Sequence, residues 1–205
     1  MRNAFFLAVA AIGLTATAAQ AQDTTTTTSS NGTSFRGIRI EANAGGDRFQ
    51  SQGVHNDKFG YGGTVGFDGQ IGERIVIGAE GSYWRANDWS ENCTRPATAA
   101  TVCHKSFDEY GAAVRAGVLA TPQLLIFAKG GYVNNEQRKR LDTPTGGYYN
   151  HFNTDGYQVG GGVEYSLTGE QTRMPLYVNA QYVYSQYSDH TARQRVMAGV
   201  GLRFK

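Results

Sequence analysis

The chain has 205 residues, including 27 glycines, 4 prolines and 2 cysteines, and a formal net charge of +2. The near-neutral charge gives no clustered basic face of the kind that nucleic-acid binding requires. No apolar run of 18 residues follows residue 21, which excludes a membrane-spanning helix from the mature chain. A transmembrane β-barrel is compatible with this hydropathy, because its strands are apolar only at alternate positions.

The first 21 residues have the features of a secretory signal peptide. Arg2 supplies the positive charge, Ala4–Leu14 are apolar, and Ala19–Ala21 form an A-x-A cleavage site. Residues 22–34 form a Thr/Ser-rich segment without an apolar side chain to bury. We therefore expect residues 22–34 to be a disordered periplasmic leader, followed by one barrel domain over residues 35–205.

Alternation of apolar and polar residues predicts eight β-strands and no sustained helix. The segments are 37–49, 59–70, 74–89, 107–120, 124–136, 153–167, 175–187 and 193–204. The connections after the second, fourth and sixth segments are short, whereas Gln50–Lys58, Ser90–Ser106 and Gln137–Phe152 are longer. Short turns at one end and longer loops at the other predict an all-β, eight-stranded antiparallel transmembrane up-and-down barrel.

The only two cysteines, Cys93 and Cys103, lie ten residues apart in a polar stretch. An exported chain meets an oxidising compartment, so we expect a disulfide that stiffens the long connection, with two free thiols as the alternative. No second pair of ligands lies near them, so the spacing does not favour a zinc site.

The two faces of each strand distinguish a membrane barrel from a soluble one. In the fourth segment, Val114 and Val118 alternate with Arg115 and Gly117. A face of glycines and isolated charges suits the filled interior of a narrow barrel, and a water-facing surface has no reason to be rich in glycine. A soluble lipocalin-like barrel, with the faces reversed, is the alternative.

Aromatic residues recur at both ends of the apolar face. Toward the longer connections they are Tyr61, Tyr83, Tyr110, Tyr132, Tyr157, Tyr182 and Tyr184, and at the opposite end Phe67, Tyr165 and Phe204. Two rows flanking an aliphatic band match the aromatic belts of the two membrane–water interfaces. The strand propensity of tyrosine alone would not place rings at the same end of several strands.

Charged residues on the polar face are predicted to pair inside the barrel, because enclosed charges need a partner or water. The expected lumen ion network consists of Glu41, Glu80, Arg115, Lys129, Glu164 and Arg195, and the same face carries Arg39, Asp47, Asp68 and Arg203. We expect this network to fill the lumen and fix the strand register. A gated conduction path is the alternative, although eight strands leave little bore.

The ordered set of features resembles a known family. It is carried by the signal peptide, by Phe127–Val133 (FAKGGYV), by Tyr177–Tyr184 (YVNAQYVY) and by Gly199–Phe204 (GVGLRF). Over Phe35–Lys205 the chain resembles the small outer-membrane β-barrel proteins of Gram-negative bacteria. These include opacity-type porin-like proteins, the transmembrane domain of outer membrane protein A, and alphaproteobacterial 25/31-kDa outer-membrane proteins.

The resemblance implies a bacterial outer-membrane location, with both termini in the periplasm and the long loops extracellular. It also implies insertion by the β-barrel assembly machinery. We expect a monomer without cofactor, surrounded by outer-membrane lipid and lipopolysaccharide, which supports envelope integrity and displays surface loops. The alternatives are a narrow low-conductance pore, an adhesin for a host surface ligand or lipopolysaccharide, and a lipid-modifying enzyme.

One long connection carries a candidate surface-binding loop. Its residues are Arg138, Lys139, Arg140, Tyr148 and Tyr149. Arg and Lys pair with phosphate, so this basic run is suited to lipopolysaccharide. A solvated loop without a ligand is the alternative.

The histidines give little support to catalysis. His55, His104, His151 and His190 all fall in predicted loops or at their edges. His104 and Ser106 have the His-x-Ser spacing of a lipid A deacylase family, but the surrounding residues do not match it. A nucleophile needs a base that a third group orients, so we assign no catalytic and no metal-binding residue.

Overall fold

The sheet closes into an eight-stranded antiparallel barrel, as predicted. The computed structural model describes residues 35–51, 53–94, 101–143, 146–168, 174–188 and 190–204, so the predicted signal peptide and leader lie outside the described residues. The strands are β1 (Gly37–Ser51), β2 (Val54–Ile71), β3 (Ile75–Thr94), β4 (Thr101–Thr121), β5 (Leu124–Thr143), β6 (Gly146–Ser166), β7 (Leu176–Tyr187) and β8 (Ala192–Phe204). Each strand pairs with the next and β1 pairs with β8, so the sheet closes on itself. The described residues contain no helix long and apolar enough to cross a membrane.

The two ends of the barrel differ in strand length. We call the end at which β1 begins and β8 finishes the terminal end, and the opposite end the distal end. At the distal end β3 to β6 extend to 20 or 21 residues each, although about 9–11 residues suffice to cross a bilayer. The prediction of long loops over Gln50–Lys58, Ser90–Ser106 and Gln137–Phe152 is therefore wrong, because most of these residues continue the ladders.

The physical reason is that backbone pairing does not need apolar side chains. Lys105 pairs with Arg138 beyond a register shift in the β4–β5 ladder, and Arg138 pairs with His151 in the β5–β6 ladder, which has no shift. Backbone N–H and C=O groups propagate the antiparallel ladder whatever the side chains are. The alternation that reveals strands within a membrane disappears beyond it, so the sequence pattern stops before the strands do.

The apolar face of the barrel points outward. Val114 is 67% exposed, whereas the neighbouring Arg115 is 3% exposed. All ten predicted belt residues lie on the outward face: Tyr61, Tyr110, Tyr132, Tyr157, Tyr182, Phe67 and Tyr165 are exposed, and Tyr83, Tyr184 and Phe204 are partly covered. A soluble carrier would have the reverse arrangement.

Glycines on the inner face make room for large side chains. A Cβ atom at Gly60 would lie 2.7 Å from Cε2 of Trp84, and one at Gly201 would lie 2.8 Å from Cε1 of Tyr177. Both distances are too short for carbon atoms that are not bonded to each other. Glycine is therefore required at these positions, because the side chains of Trp84 and Tyr177 occupy the space that a Cβ atom would take.

Candidate functional site

Nearest the terminal end, four charged residues from the even-numbered strands meet in the lumen. This terminal cluster contains Asp68 of β2, Arg115 of β4, Glu164 of β6 and Arg203 of β8. Arg115 lies 2.5 Å from Asp68 and 3.1 Å from Glu164. Arg203 lies 2.8 Å from each of the same two carboxylates. Two guanidinium groups and two carboxylates therefore alternate around a closed ring.

The next layer is built from the odd-numbered strands. This central cluster contains Arg39 and Glu41 of β1, Glu80 of β3, Lys129 of β5 and Tyr177 of β7. Arg39 pairs with Glu80, and Lys129 Nζ donates to Glu80 Oε1 at 2.7 Å. Glu41 accepts from Arg39 at 3.2 Å and from the Tyr177 hydroxyl at 3.1 Å. Inward side chains taken from alternate strands form layers because barrel strands are tilted and staggered.

A third group, the distal cluster, lies closer to the extended strands. Arg195 Nη2 lies 2.7 Å from Glu109 Oε1, and Arg193 Nε lies 3.3 Å from Asp47 Oδ2. The indole of Trp84 donates to Asp47 at 2.5 Å. The hydroxyl of Tyr187 donates to Glu109, so each carboxylate of this cluster has both a cation and a neutral donor.

The three clusters balance their charge. Among the residues that the structure describes, the buried cations are Arg39, Arg115, Lys129, Arg193, Arg195 and Arg203, and the buried carboxylates are Glu41, Asp47, Asp68, Glu80, Glu109 and Glu164. Six positive and six negative groups neutralise each other within the lumen. The interior therefore needs no mobile counter-ion to compensate it.

Apolar side chains pack at both ends of these clusters. At the terminal end Phe35, Val76, Leu119, Leu125 and Phe127 form one buried group, and toward the distal end Phe49, Val133 and Tyr187 form another. Between the central and distal clusters lies a cavity of about 10 Å³, lined by polar groups and by Trp84, Val183 and Met197. That volume has room for about one water molecule.

Five of the six predicted lumen residues lie in two adjoining clusters, and the sixth lies in the distal cluster. Glu41, Glu80 and Lys129 lie in the central cluster, and Arg115 and Glu164 lie in the terminal cluster. Arg195 pairs instead with Glu109 in the distal cluster. Strand tilt separates residues that the linear pattern places at one level.

Two charged lumen residues were missed from the sequence. Glu109 lies two residues before Gly111 in β4, and Arg193 lies two residues before Arg195 in β8. Continuing each alternation by one step would have placed both side chains inside the barrel. Both residues lie at or near the first residue of a predicted strand, so the alternation was not followed as far as either of them.

The comparison with known proteins agrees with this architecture. Residues 6–204 match the family model described as outer membrane protein beta-barrel domain. The chain belongs to this family. Its place is therefore the bacterial outer membrane, and the outward apolar face is the surface that such a location requires.

Solved outer-membrane barrels share the fold of this family member at low sequence identity. The attachment invasion locus protein Ail of Yersinia pestis, in complex with the heparin analogue sucrose octasulfate, is 13% identical with a TM-score of 0.55, over 82% of this chain and 99% of Ail. Ail without that ligand is 12% identical with a TM-score of 0.56, over the same shares. Neisserial surface protein A is 15% identical with a TM-score of 0.49, over 82% of this chain and 97% of its own. No curated protein matches the chain.

The disulfide of this outer-membrane barrel joins strands. Cys93 of β3 and Cys103 of β4 are bonded and are also direct register partners. The predicted pairing is present, but the prediction that it lies in a loop is wrong. The bond crosslinks two paired strands near the distal end.

The candidate surface-binding residues also lie on strands. Arg138, Lys139 and Arg140 belong to β5, and Tyr148 and Tyr149 belong to β6, so the description of a loop is corrected. Side chains alternate along a strand, and Arg138 and Arg140 therefore face away from Lys139. The basic run is divided between two faces of the extended sheet.

Three of the four histidines of the outer-membrane barrel lie on strands. His55, His104 and His151 lie in β2, β4 and β6, and only His190 lies between strands. The prediction of loop positions is therefore confirmed for His190 and wrong for the other three, for the same reason as the prediction of long loops. Within the described part of the chain, no group of three or more His, Cys, Asp or Glu residues is placed to hold a metal ion.

Proposed function

We propose that this protein is a closed structural barrel of the outer membrane, which supports the envelope and displays its extended distal strands outside the cell. The observation that carries the proposal is the charge-balanced, side-chain-filled lumen. In the proposed orientation both termini face the periplasm. The protein is a monomer inserted by the β-barrel assembly machinery, with lipid and lipopolysaccharide around it and without an enzymatic role.

The lumen contacts support a closed barrel over a conducting one. An ion crossing the central cluster would have to separate Glu80 from Lys129 and Arg39, all of which are almost fully buried. Breaking a buried pair costs about 3–5 kcal/mol. The apolar groups around Phe35 and Phe49 add dry barriers at both ends.

Planar-bilayer recording of the refolded protein tests this proposal. We expect no discrete conductance steps above the protein-free baseline. The double variant E80A/K129A removes one cation and one carboxylate together and should produce steps, since it empties space in the central cluster. Arg48→Ala is the matched control, because Arg48 pairs with Asp57 on the exposed surface.

Folding is checked for each preparation by gel mobility with and without boiling. Regular conductance steps from wild-type protein that is folded by this criterion would contradict a closed barrel. Such steps would favour the narrow pore instead.

A further inference from the structure

The strands that extend at the distal end carry a compact cluster of basic groups around one phenyl ring. Lys105 Nζ lies 5.7 Å and Arg138 Cζ lies 5.8 Å from the centre of the Phe107 ring. The imidazole of His151 lies 5.5 Å from the same centre, with its plane tilted by 32°. Because Lys105, Arg138 and His151 are also cross-strand partners on β4, β5 and β6, paired strands hold the group in place.

This Phe107 cluster faces sideways, away from the barrel axis. Arg138 lies six residues beyond Tyr132 on β5, and His151 lies six residues before Tyr157 on β6, without a register shift between the two strands. An even separation keeps side chains on one face, and both tyrosines are exposed on the outward face. At about 3.3 Å per residue and a tilt of about 40°, the cluster lies roughly 15 Å beyond the tyrosine row.

Further basic residues lie beside the cluster. Arg140 follows Arg138 on the same face of β5, and Lys139 lies between them on the other face. Glu136 also lies beside the cluster, with its Oε1 3.5 Å from His151 Nδ1. The concentration of basic side chains favours an anionic ligand.

The chemistry of the cluster fits a phosphorylated sugar. Guanidinium and ammonium groups pair with phosphate oxygens, and an aromatic ring offers a flat apolar surface to a pyranose. A sideways-facing site beyond the tyrosine row meets the saccharide of lipids beside the barrel. We propose that Lys105, Phe107, Arg138 and His151 bind phosphate-bearing saccharide of lipopolysaccharide, which rests on the proposed placement of the distal end outside the cell.

The test is binding of the refolded full-length protein to lipopolysaccharide and to the same lipopolysaccharide after enzymatic dephosphorylation. We expect the phosphorylated form to bind about tenfold more tightly, the worth of one or two charge-assisted hydrogen bonds. The double variant K105Q/R138Q should lose this preference. Arg48→Gln is the matched control, an exposed arginine of β1 outside the cluster, and should keep it.

Three results would overturn the proposal. Equal binding of the two lipopolysaccharide forms shows that phosphate is not recognised. An equal loss in K105Q/R138Q and in R48Q shows a general charge effect. If K105Q/R138Q loses binding to heparin while its binding to lipopolysaccharide is unchanged, the ligand is a sulfated saccharide from outside the cell.

The orientation is tested separately. An epitope inserted between residues 143 and 146 should be read by antibody on intact cells. Failure of that result contradicts the proposed orientation, whereas the binding of purified protein reports on the Phe107 cluster itself.

Discussion

Arg39 Nε lies 3.3 Å from Asp68 Oδ2, and this contact joins the central cluster to the terminal cluster. Arg39 belongs to the layer built from odd-numbered strands and Asp68 to the layer built from even-numbered strands. Through this pair eight charged residues form one connected system. The registers of the seven strands that contribute to this system are thereby tied to those of strands they do not touch.

Removal of the joining guanidinium is expected to destabilise the barrel strongly. Arg39→Ala leaves Glu41, Asp68 and Glu80 buried and short of a cation, at a cost of about 3–5 kcal/mol. Urea unfolding in detergent micelles measures the loss. Arg48→Ala, which breaks the exposed pair with Asp57, should cost about 0–1 kcal/mol, and equal effects of the two variants would contradict the argument.

The Glu80–Lys129 pair is expected to behave as a coupled unit. Glu80→Gln leaves Lys129 without its carboxylate, and Lys129→Met leaves Glu80 with Arg39 but without its second cation, whereas the double variant removes both charges together. The double variant should therefore be less destabilised than the two single variants added, by about 1–3 kcal/mol. A double-mutant cycle on unfolding free energies measures this coupling, and strict additivity would show that the pair contributes no coupling.

Trp84 is expected to report on the dryness of the lumen. Its side chain is 2% exposed and its indole donates to Asp47. In a Trp89→Phe background, Trp84 is the only remaining tryptophan, and its fluorescence should resist quenching by acrylamide in the folded barrel. Quenching comparable to that of the urea-unfolded chain would indicate an open, hydrated lumen.

The disulfide is expected to protect the distal strands more than the barrel. Cys93 and Cys103 pair well beyond the Tyr83–Tyr110 register pair. The variant C93S/C103S should therefore keep the gel mobility of the folded, unboiled protein. Its β3–β4 hairpin should be cleaved faster by protease, because one constraint on the strand pair is lost. Loss of the folded mobility would instead make the crosslink essential to the barrel.

The inner and outer faces could be predicted from sequence, but not the strand ends or the ion partners. The alternation of Val114 with Arg115 assigns the faces because strand side chains have a period of two. Arg138 lies where both faces are polar, so no periodicity marks it as strand. The pairing of Arg195 with Glu109 depends on strand tilt and stagger, which arise only when the barrel closes.

The alternate-strand layering has a consequence for assembly. No single hairpin contains a complete layer, since the terminal cluster draws one residue each from β2, β4, β6 and β8. A chain with only its β1–β2 hairpin in place has Asp68 without Arg115 and Arg203. Pairing of β8 with β1 is therefore the event that neutralises the interior. An intermediate that lacks β8 keeps uncompensated carboxylates on its inner face.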